Sequence, residues 1–283
     1  MNNADRRAAF RRTVETRRGI LMPGAFNAMS ARIVEDQGFE VVYMTGAGVT
    51  NMSLGLPDFS FVGLSDIADH AARIRDVVSL PLVVDADTGF GNAMNVAHAV
   101  RVLERNGADA IQLEDQQFPK KCGHFDDKSV VSTEEMVSKI KAAVDARTDP
   151  NLLVIGRTDA RSTEGLQAAM DRAHRYAEAG ADILFVEAVT TLEEMSAVGR
   201  AFDKPLLLNI VLGGKTPPVA LQELAQMGYS LVLYANTALQ SAVLGMQNAL
   251  GALKQEGVLQ ESSGLVIGVS ERQRLVGKPE LDA

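Results

Sequence analysis

Cysteine is nearly absent from this chain: of its 283 residues only Cys122 carries a thiol. One cysteine cannot close an internal disulfide, so nothing here requires an oxidising compartment. No zinc-type Cys/His spacing exists, and His70, His98 and His174 fall in segments of helical periodicity, where they read as surface or packing residues. No apolar run is long enough to span a bilayer, and Met1 to Arg18 is arginine-rich with no apolar core of signal-peptide length. A soluble, cytoplasmic protein is therefore expected. Basic runs with interleaved aromatics are missing as well, and a net charge of -8 opposes attraction to phosphate backbones, so neither nucleic acid nor a membrane is an expected partner. With no break in composition, residues 1–283 are expected to form one domain.

What the chain does have is a regular alternation. Short apolar runs rich in β-branched residues recur at Ile20-Leu21-Met22, Val41-Val42-Tyr43-Met44, Pro81-Leu82-Val83-Val84, Ala110-Ile111-Gln112-Leu113, Leu152-Leu153-Val154-Ile155, Ile183-Leu184-Phe185-Val186, Leu206-Leu207-Leu208 and Leu231-Val232-Leu233-Tyr234. Longer segments of helical periodicity separate them. Continuous apolar runs are the mark of parallel strands buried on both faces, and eight of them without a Rossmann glycine fingerprint predict an α/β fold closed as a (β/α)8 barrel. Gly107-Ala108-Asp109 and Gly180-Ala181-Asp182 precede two of the runs as helix C-caps and short turns, which is barrel construction and not chemistry. Asn51 to Gly63 and Gln116 to Val131 are too long and polar for ordinary connections and are candidate lids. Thr237 to Gln255 reads as a long helix, and the tail to Ala283 exceeds what an eighth helix needs, so it should pack on something, a neighbouring subunit being one choice.

Most runs end on polar residues: Thr45, Asp85 and Asp87, Glu114 and Asp115, Arg157 and Asp159, Glu187, Asn209, Asn236. Barrel active sites form at the C-terminal strand ends, so these groups should converge on one mouth. Asp85 and Asp87, at i and i+2, would leave one face of their strand and share a hard cation. With Glu114 on the next strand, three acids would meet with no obvious cationic partner, and magnesium, with manganese as the alternative, suits an oxygen-only set. Cys122 sits in Lys120-Lys121-Cys122-Gly123-His124, whose positive charges would ease deprotonation of the thiol or its use as a proton donor. Arg157 and Arg161 are each a fork for a substrate carboxylate or one half of an ion pair. Thr45-Gly46-Ala47-Gly48 reads as a small-residue turn that would expose backbone N–H groups to an anion. Asp58, beside Pro57, reads from its neighbours alone as turn chemistry.

From about Arg18 to Gln255 the chain resembles the isocitrate lyase and phosphoenolpyruvate mutase superfamily. The marks are the Lys120–His124 segment, Asp85-Ala86-Asp87-Thr88-Gly89-Phe90-Gly91 and Tyr43-Met44-Thr45-Gly46-Ala47-Gly48. The cysteine-containing segment is similar to that of the C–C lyase branch, and the short chain looks like the dimethylmalate and methylisocitrate lyases. The resemblance implies a magnesium-dependent cleavage of a 2-hydroxydicarboxylate, such as a substituted malate, to a 2-oxoacid and a monocarboxylate. Asp87 would hold the metal directly, with Asp85 and Glu114 acting through water; Arg157, His124 and Asn209 would stabilise the departing aci-carboxylate, and Cys122 would protonate it. Tyr43 and Asp58 both remain open as the base, Lys120 and Glu187 would tune the site, and Thr45, Gly46, Ala47, Gly123 and Asn209 would bind substrate. Gln240 stands where methylisocitrate lyases look to carry an arginine, which favours a substituted malate; methylisocitrate lyase and an oxaloacetate decarboxylase or hydrolase remain the alternatives. The superfamily also implies a terminal helix swapped between subunits and a homo-oligomer built as a dimer of dimers.

Overall fold

The computed structural model describes residues 2–121, 123 and 128–282. Cys122 and His124 lie outside the described residues. Eight parallel strands, β1 (Ile20–Ala25), β2 (Val42–Met44), β3 (Leu82–Asp85), β4 (Ala110–Glu114), β5 (Leu153–Thr158), β6 (Ile183–Val186), β7 (Leu206–Asn209) and β8 (Tyr229–Tyr234), hydrogen-bond in sequence order, and β8 returns to β1 to close the barrel. All eight apolar runs became strands. Because side chains alternate along a strand, each run feeds two cores. Val42, Met44 and Val84 pack outward against the helices, whereas Tyr43, Val83, Ile155, Phe185 and Leu233 fill the barrel interior. A helix, Asn3–Glu15, plugs the barrel floor by placing Phe10 and Val14 in that interior cluster. Full burial of Phe10 stabilises the plug by about 2–3 kcal/mol. Arginine richness masked this helix in the sequence: Arg6 and Arg7 are buried, paired with Asp109 and Glu104.

Two connections differ from expectation. The segment after β2 is a helix, Gly46–Leu54, capped by the Thr45 side chain, which accepts the Gly48 N–H; its glycines had read as a turn, and only 55–63 are irregular. The tail folds into short helices that return to the chain's own surface, where Arg274 pairs with Asp36 and Arg32 donates to the Leu275 carbonyl. The helix Thr237–Glu256 matches the expected span. Among the described residues no helix is long and apolar enough to cross a membrane.

Candidate active site

The C-terminal strand ends converge as barrel geometry demands. Tyr43, Thr45, Ala47, Asp58, Asp85, Lys120, Lys121, Gly123, Arg157, Glu187, Asn209 and Asn236 line one cavity at the mouth, with about 40 Å³ of free space. That is room for about one water. Gly123 closes it from above: a Cβ there would stand 2.4 Å from Arg157 Nη2 and 2.7 Å from Glu187 Cγ, so only glycine fits.

Asp85 ends β3, but Asp87 lies beyond the strand, in a turn where its own φ is +48° and Gly89, Phe90 and Gly91 also have positive φ. The two carboxylates thus meet through the turn, and the expected i, i+2 strand geometry does not apply. The Glu114 N–H donates to the Asp87 carbonyl and Gly89 N–H to that of Ala86, which holds the left-handed residue in place. Asp85 Oδ1 accepts from Gln112 Nε2 and the Asp87 N–H, and Oδ2 from the Gly46 N–H, each at 3.2 Å. The small-residue helix start therefore holds the protein's own carboxylate.

The acids do have cationic partners, contrary to expectation. Lys120 Nζ lies 2.8 Å from both Asp58 Oδ2 and Asp87 Oδ1, and Arg157 Nη1 lies 3.0 Å from Glu114 Oε2. Lys120, expected to tune the site from the long loop, has a buried side chain; burial disfavours its ammonium, but the Asp87, Asp58, Glu114 and Asp85 charges outweigh it and hold its pKa well above the usual lysine value. These pairings are incomplete. Asp87 Oδ1, both Glu114 oxygens and Asn209 Oδ1 are buried without a hydrogen bond of good geometry. Burial pushes Asp87 up to about 6 against the pull of Lys120, and pushes Glu114 well above the carboxylate range against that of Arg157. Among the described residues no three acidic, histidine or cysteine side chains form a ready-made metal cage. The donor set nevertheless fits a hard divalent cation: it is oxygen-only, and its orphaned atoms belong to Asp87 and Glu114, beside Asp85.

Arg157 is gripped on all sides. Its Nε and Nη2 donate to Asp159 at 2.9 and 3.1 Å, Nη2 lies 3.5 Å from Glu187 Oε2, and the guanidinium carbon sits 5.3 Å from the Phe185 ring centroid. Glu187 accepts from Asn209 Nδ2 at 3.3 Å. Tyr43 donates to Gln112 Oε1 at 3.0 Å, and burial together with the Asp85 charge raises its pKa well above the ordinary phenol value. It is a donor, not a ready base. Two predicted groups stand apart. Arg161 turns away to pair with Glu194 at 2.7 Å, and Gln240 is exposed, off the cavity lining, its amide donating to the Leu212 carbonyl. Gln112 was missed, although a lone amide in the apolar run Ala110-Ile111-Gln112-Leu113 was the available signal.

The phosphoenolpyruvate phosphomutase family is matched over residues 10–254. A 2-methylisocitrate lyase of Aeropyrum pernix is 42% identical over 94% of this chain and 86% of its own length. A 2,3-dimethylmalate lyase of Eubacterium barkeri is 40% identical over 98% of this chain and 95% of its own. A crystal structure of 2,3-dimethylmalate lyase superposes with a TM-score of 0.92 at 34% identity, covering 99% of this chain and 93% of that one. A phosphonopyruvate hydrolase crystallised with oxalate and Mg++ is similar as well, with a TM-score of 0.88 at 30% identity over 100% of this chain and 97% of that one.

Proposed function

From the premise that the chain belongs to the phosphoenolpyruvate phosphomutase family, we propose that it is a magnesium-dependent carbon–carbon lyase that cleaves a substituted malate to a 2-oxoacid and a monocarboxylate. The observation that carries this reading is the set of orphaned oxygens on Asp87 and Glu114 beside Asp85, facing a buried arginine. The relatives named 2,3-dimethylmalate lyase support the substrate class. Manganese would serve in place of magnesium.

Asp87 would hold the cation, with Asp85 and Glu114 as its outer acids. When bound, that cation would polarise the 2-oxygen and one carboxylate of the substrate. Arg157 and Asn209 carry the second half of the chemistry: as the C2–C3 bond breaks, negative charge grows on the departing carboxylate, and a pre-placed guanidinium and amide stabilise it without reorganising. His124 would join them. Of the two groups open as the base for the 2-hydroxyl proton, Asp58 is the better, because the Tyr43 phenol is held protonated and serves to orient Gln112 and Asp85. Lys120 pairs with Asp58 at 2.8 Å and so fixes the position of that carboxylate, and Glu187 orients Asn209 and Arg157. Cys122 would protonate the leaving carbon. Thr45 and Ala47 line the mouth at the start of a helix whose Gly46 N–H already serves Asp85, so Ala47 and the helix dipole would be what this end offers a substrate carboxylate, with Gly46 acting through Asp85. The cavity of about 40 Å³ shares Ala47, Asp58 and Asn236 with a neighbouring one of about 570 Å³ over Asn51 and Gly213, which gives a substituted malate its approach to the mouth.

The 42% identity to 2-methylisocitrate lyase favours a second reading in which the substrate carries a third carboxylate. One panel separates them: with Mg2+ present, 2-oxoacid release is measured from dimethyl-, ethylmethyl- and larger malates, from methylisocitrate and from oxaloacetate. The expected order puts the dialkylmalate first. A panel with no oxoacid release from any hydroxydiacid would overturn the lyase reading.

Assembly is the remaining part of the reading. The 20-residue helix Thr237–Glu256 buries only Leu239 and leaves Val243, Leu244, Met246, Leu250 and Leu253 exposed. Beside it runs a cavity of about 520 Å³ between Phe26, Met29, Ile33 and Val34 on one side and Ala238 and Ala242 on the other. A stripe of this kind seeks cover, and the same helix of a second copy supplies an apolar face of the right length. Sedimentation is expected to give a dimer that pairs into a tetramer; a strict monomer at micromolar concentration would refute the swap.

A further inference from the structure

Asp159 is wholly buried, and its carboxylate serves two cations. Arg157 donates to it from Nε and Nη2, and Lys128 Nζ donates to Oδ1 at 2.8 Å. The backbone that carries this carboxylate is anchored, because the Asp159 N–H donates to Asp115 Oδ1 at 2.8 Å and Asp115 itself accepts from Thr158 Oγ1 and Tyr176 OH, both at 2.7 Å. Lys128 is the unusual member. Its side chain is 1% exposed although it lies in the long β4 connection, and a lysine gives up the hydration of its ammonium and much rotamer freedom by being held there. Its other contact shows what that holding achieves: the same ammonium hydrogen-bonds the Gly123 carbonyl. Gly123 in turn packs directly on the guanidinium of Arg157 and on Glu187. Lys128 thus grips both neighbours of Arg157, the acid behind it and the backbone above it, while it does not line the cavity.

We propose that Lys128 is a positioning residue that fixes the Arg157 guanidinium by tying Asp159 to the Gly123 carbonyl. Without the ammonium, Asp159 answers to Arg157 alone and Gly123 loses its tie to that acid, so the guanidinium, still paired with Glu114 and Glu187, is drawn toward Asp159 and away from the departing carboxylate. A misplacement of this size, made by a residue that touches no substrate, acts on the chemical step more than on binding.

The test uses Lys128→Met, Lys128→Gln and Lys128→Arg in the full-length enzyme, with kinetics on the best malate of the panel, amide hydrogen exchange of the peptide containing Gly123, and melting temperature. The kinetic arm rests on the lyase reading above; the exchange arm does not. We expect kcat to fall at least tenfold in the Met and Gln variants with KM changed less than threefold, and exchange in the Gly123 peptide to rise at least tenfold while β1 to β3 peptides stay as they were. Lys128→Arg should recover both to within threefold. Unchanged exchange in both neutral variants overturns the clamp, and faster exchange with unchanged kcat overturns its action on Arg157. A lowered melting temperature with wild-type kcat also overturns it, since that is what a stabilising ion pair alone would give. If wild-type enzyme releases no oxoacid, the lyase reading fails while the exchange result still decides the clamp. Should the Met variant not fold, the Gln variant carries the same comparison.

Discussion

The two ends of this barrel both bury charge, and they treat it in opposite ways. At the floor, Asp109 accepts from Arg6 Nε at 2.9 Å, Arg75 Nη1 at 3.1 Å and the Leu82 N–H at 2.8 Å, while Asp182 takes Arg11, Arg147 and the Val154 N–H. Glu104 accepts the N–H groups of Thr148 and Asp149. None of these carboxylate oxygens is left without a donor. At the mouth, Asp87 Oδ1 and both oxygens of Glu114 are buried without a good hydrogen bond although Lys120 and Arg157 stand close by. A satisfied buried ion pair that is broken leaves an expensive orphan, whereas an unsatisfied one already bears that expense in the folded state. The floor is built for the fold, and the mouth for binding.

The largest effect expected from breaking this contrast is at the mouth. Asp87→Ala should cut oxoacid release at least ten-thousandfold, a loss of about 5.5 kcal/mol at 1.4 kcal/mol per decade, and exhaustive chelation of wild-type enzyme should do the same until Mg2+ is returned. Stability should not follow activity. Burial holds the Asp87 carboxyl up near 6, so removing it relieves a desolvated charge, and Lys120 keeps Asp58. Thermal unfolding that falls together with activity would put Asp87 with the floor residues, and full turnover after chelation would remove the metal from the mechanism.

The converse substitution, Asp109→Ala, is the next largest. It strands Arg6 and Arg75 in a floor where Asp109 is completely buried, and should lower the unfolding free energy by about 3–5 kcal/mol. The kcat of the folded enzyme should stay within twofold of wild type. Urea melts and initial rates on the same preparation check both halves; a kcat that drops with stability would show that the two ends are mechanically coupled.

How much of this was legible depended on what kind of force set each feature. The strands were legible because burial on both faces leaves an unbroken apolar run, and the polar residues closing most runs marked the mouth. Asp85, Asp87, Glu114 and Arg157 were placed at the C-terminal end of the barrel that way. What the sequence hid was pairing. Lys120 reaches Asp58 and Asp87 only because a left-handed turn at Asp87 and the 55–63 connection bring three separate segments together, and no local pattern encodes that meeting. Gly46-Ala47-Gly48 read as a turn because glycine is a poor helix former, yet Thr45 placed three residues before Gly48 was a serviceable N-cap signal. The floor helix was hidden by its arginines, whose burial becomes favourable only when Asp109 and Glu104, about a hundred residues away, are in place.

The smallest expected effect sits at the rim. If position 240 lay in a dry pocket, an arginine there would govern whether a third carboxylate is accepted. Gln240 is instead exposed and donates to the Leu212 carbonyl, and Leu212 borders a second cavity over Asn51, Asp58 and Gly213. An arginine in that place would meet a substrate carboxylate in water-rich surroundings, where an ion pair contributes about 0.2–1 kcal/mol. Gln240→Arg should therefore raise kcat/KM for methylisocitrate by no more than about fivefold, the factor that corresponds to ~1 kcal/mol, with the dialkylmalate rate unchanged. Raising the salt concentration should erase most of that gain, as screening does for exposed pairs. A gain of a hundredfold that resists salt would mean that the rim closes over position 240 when substrate binds, and would put that position with the buried charges of the mouth.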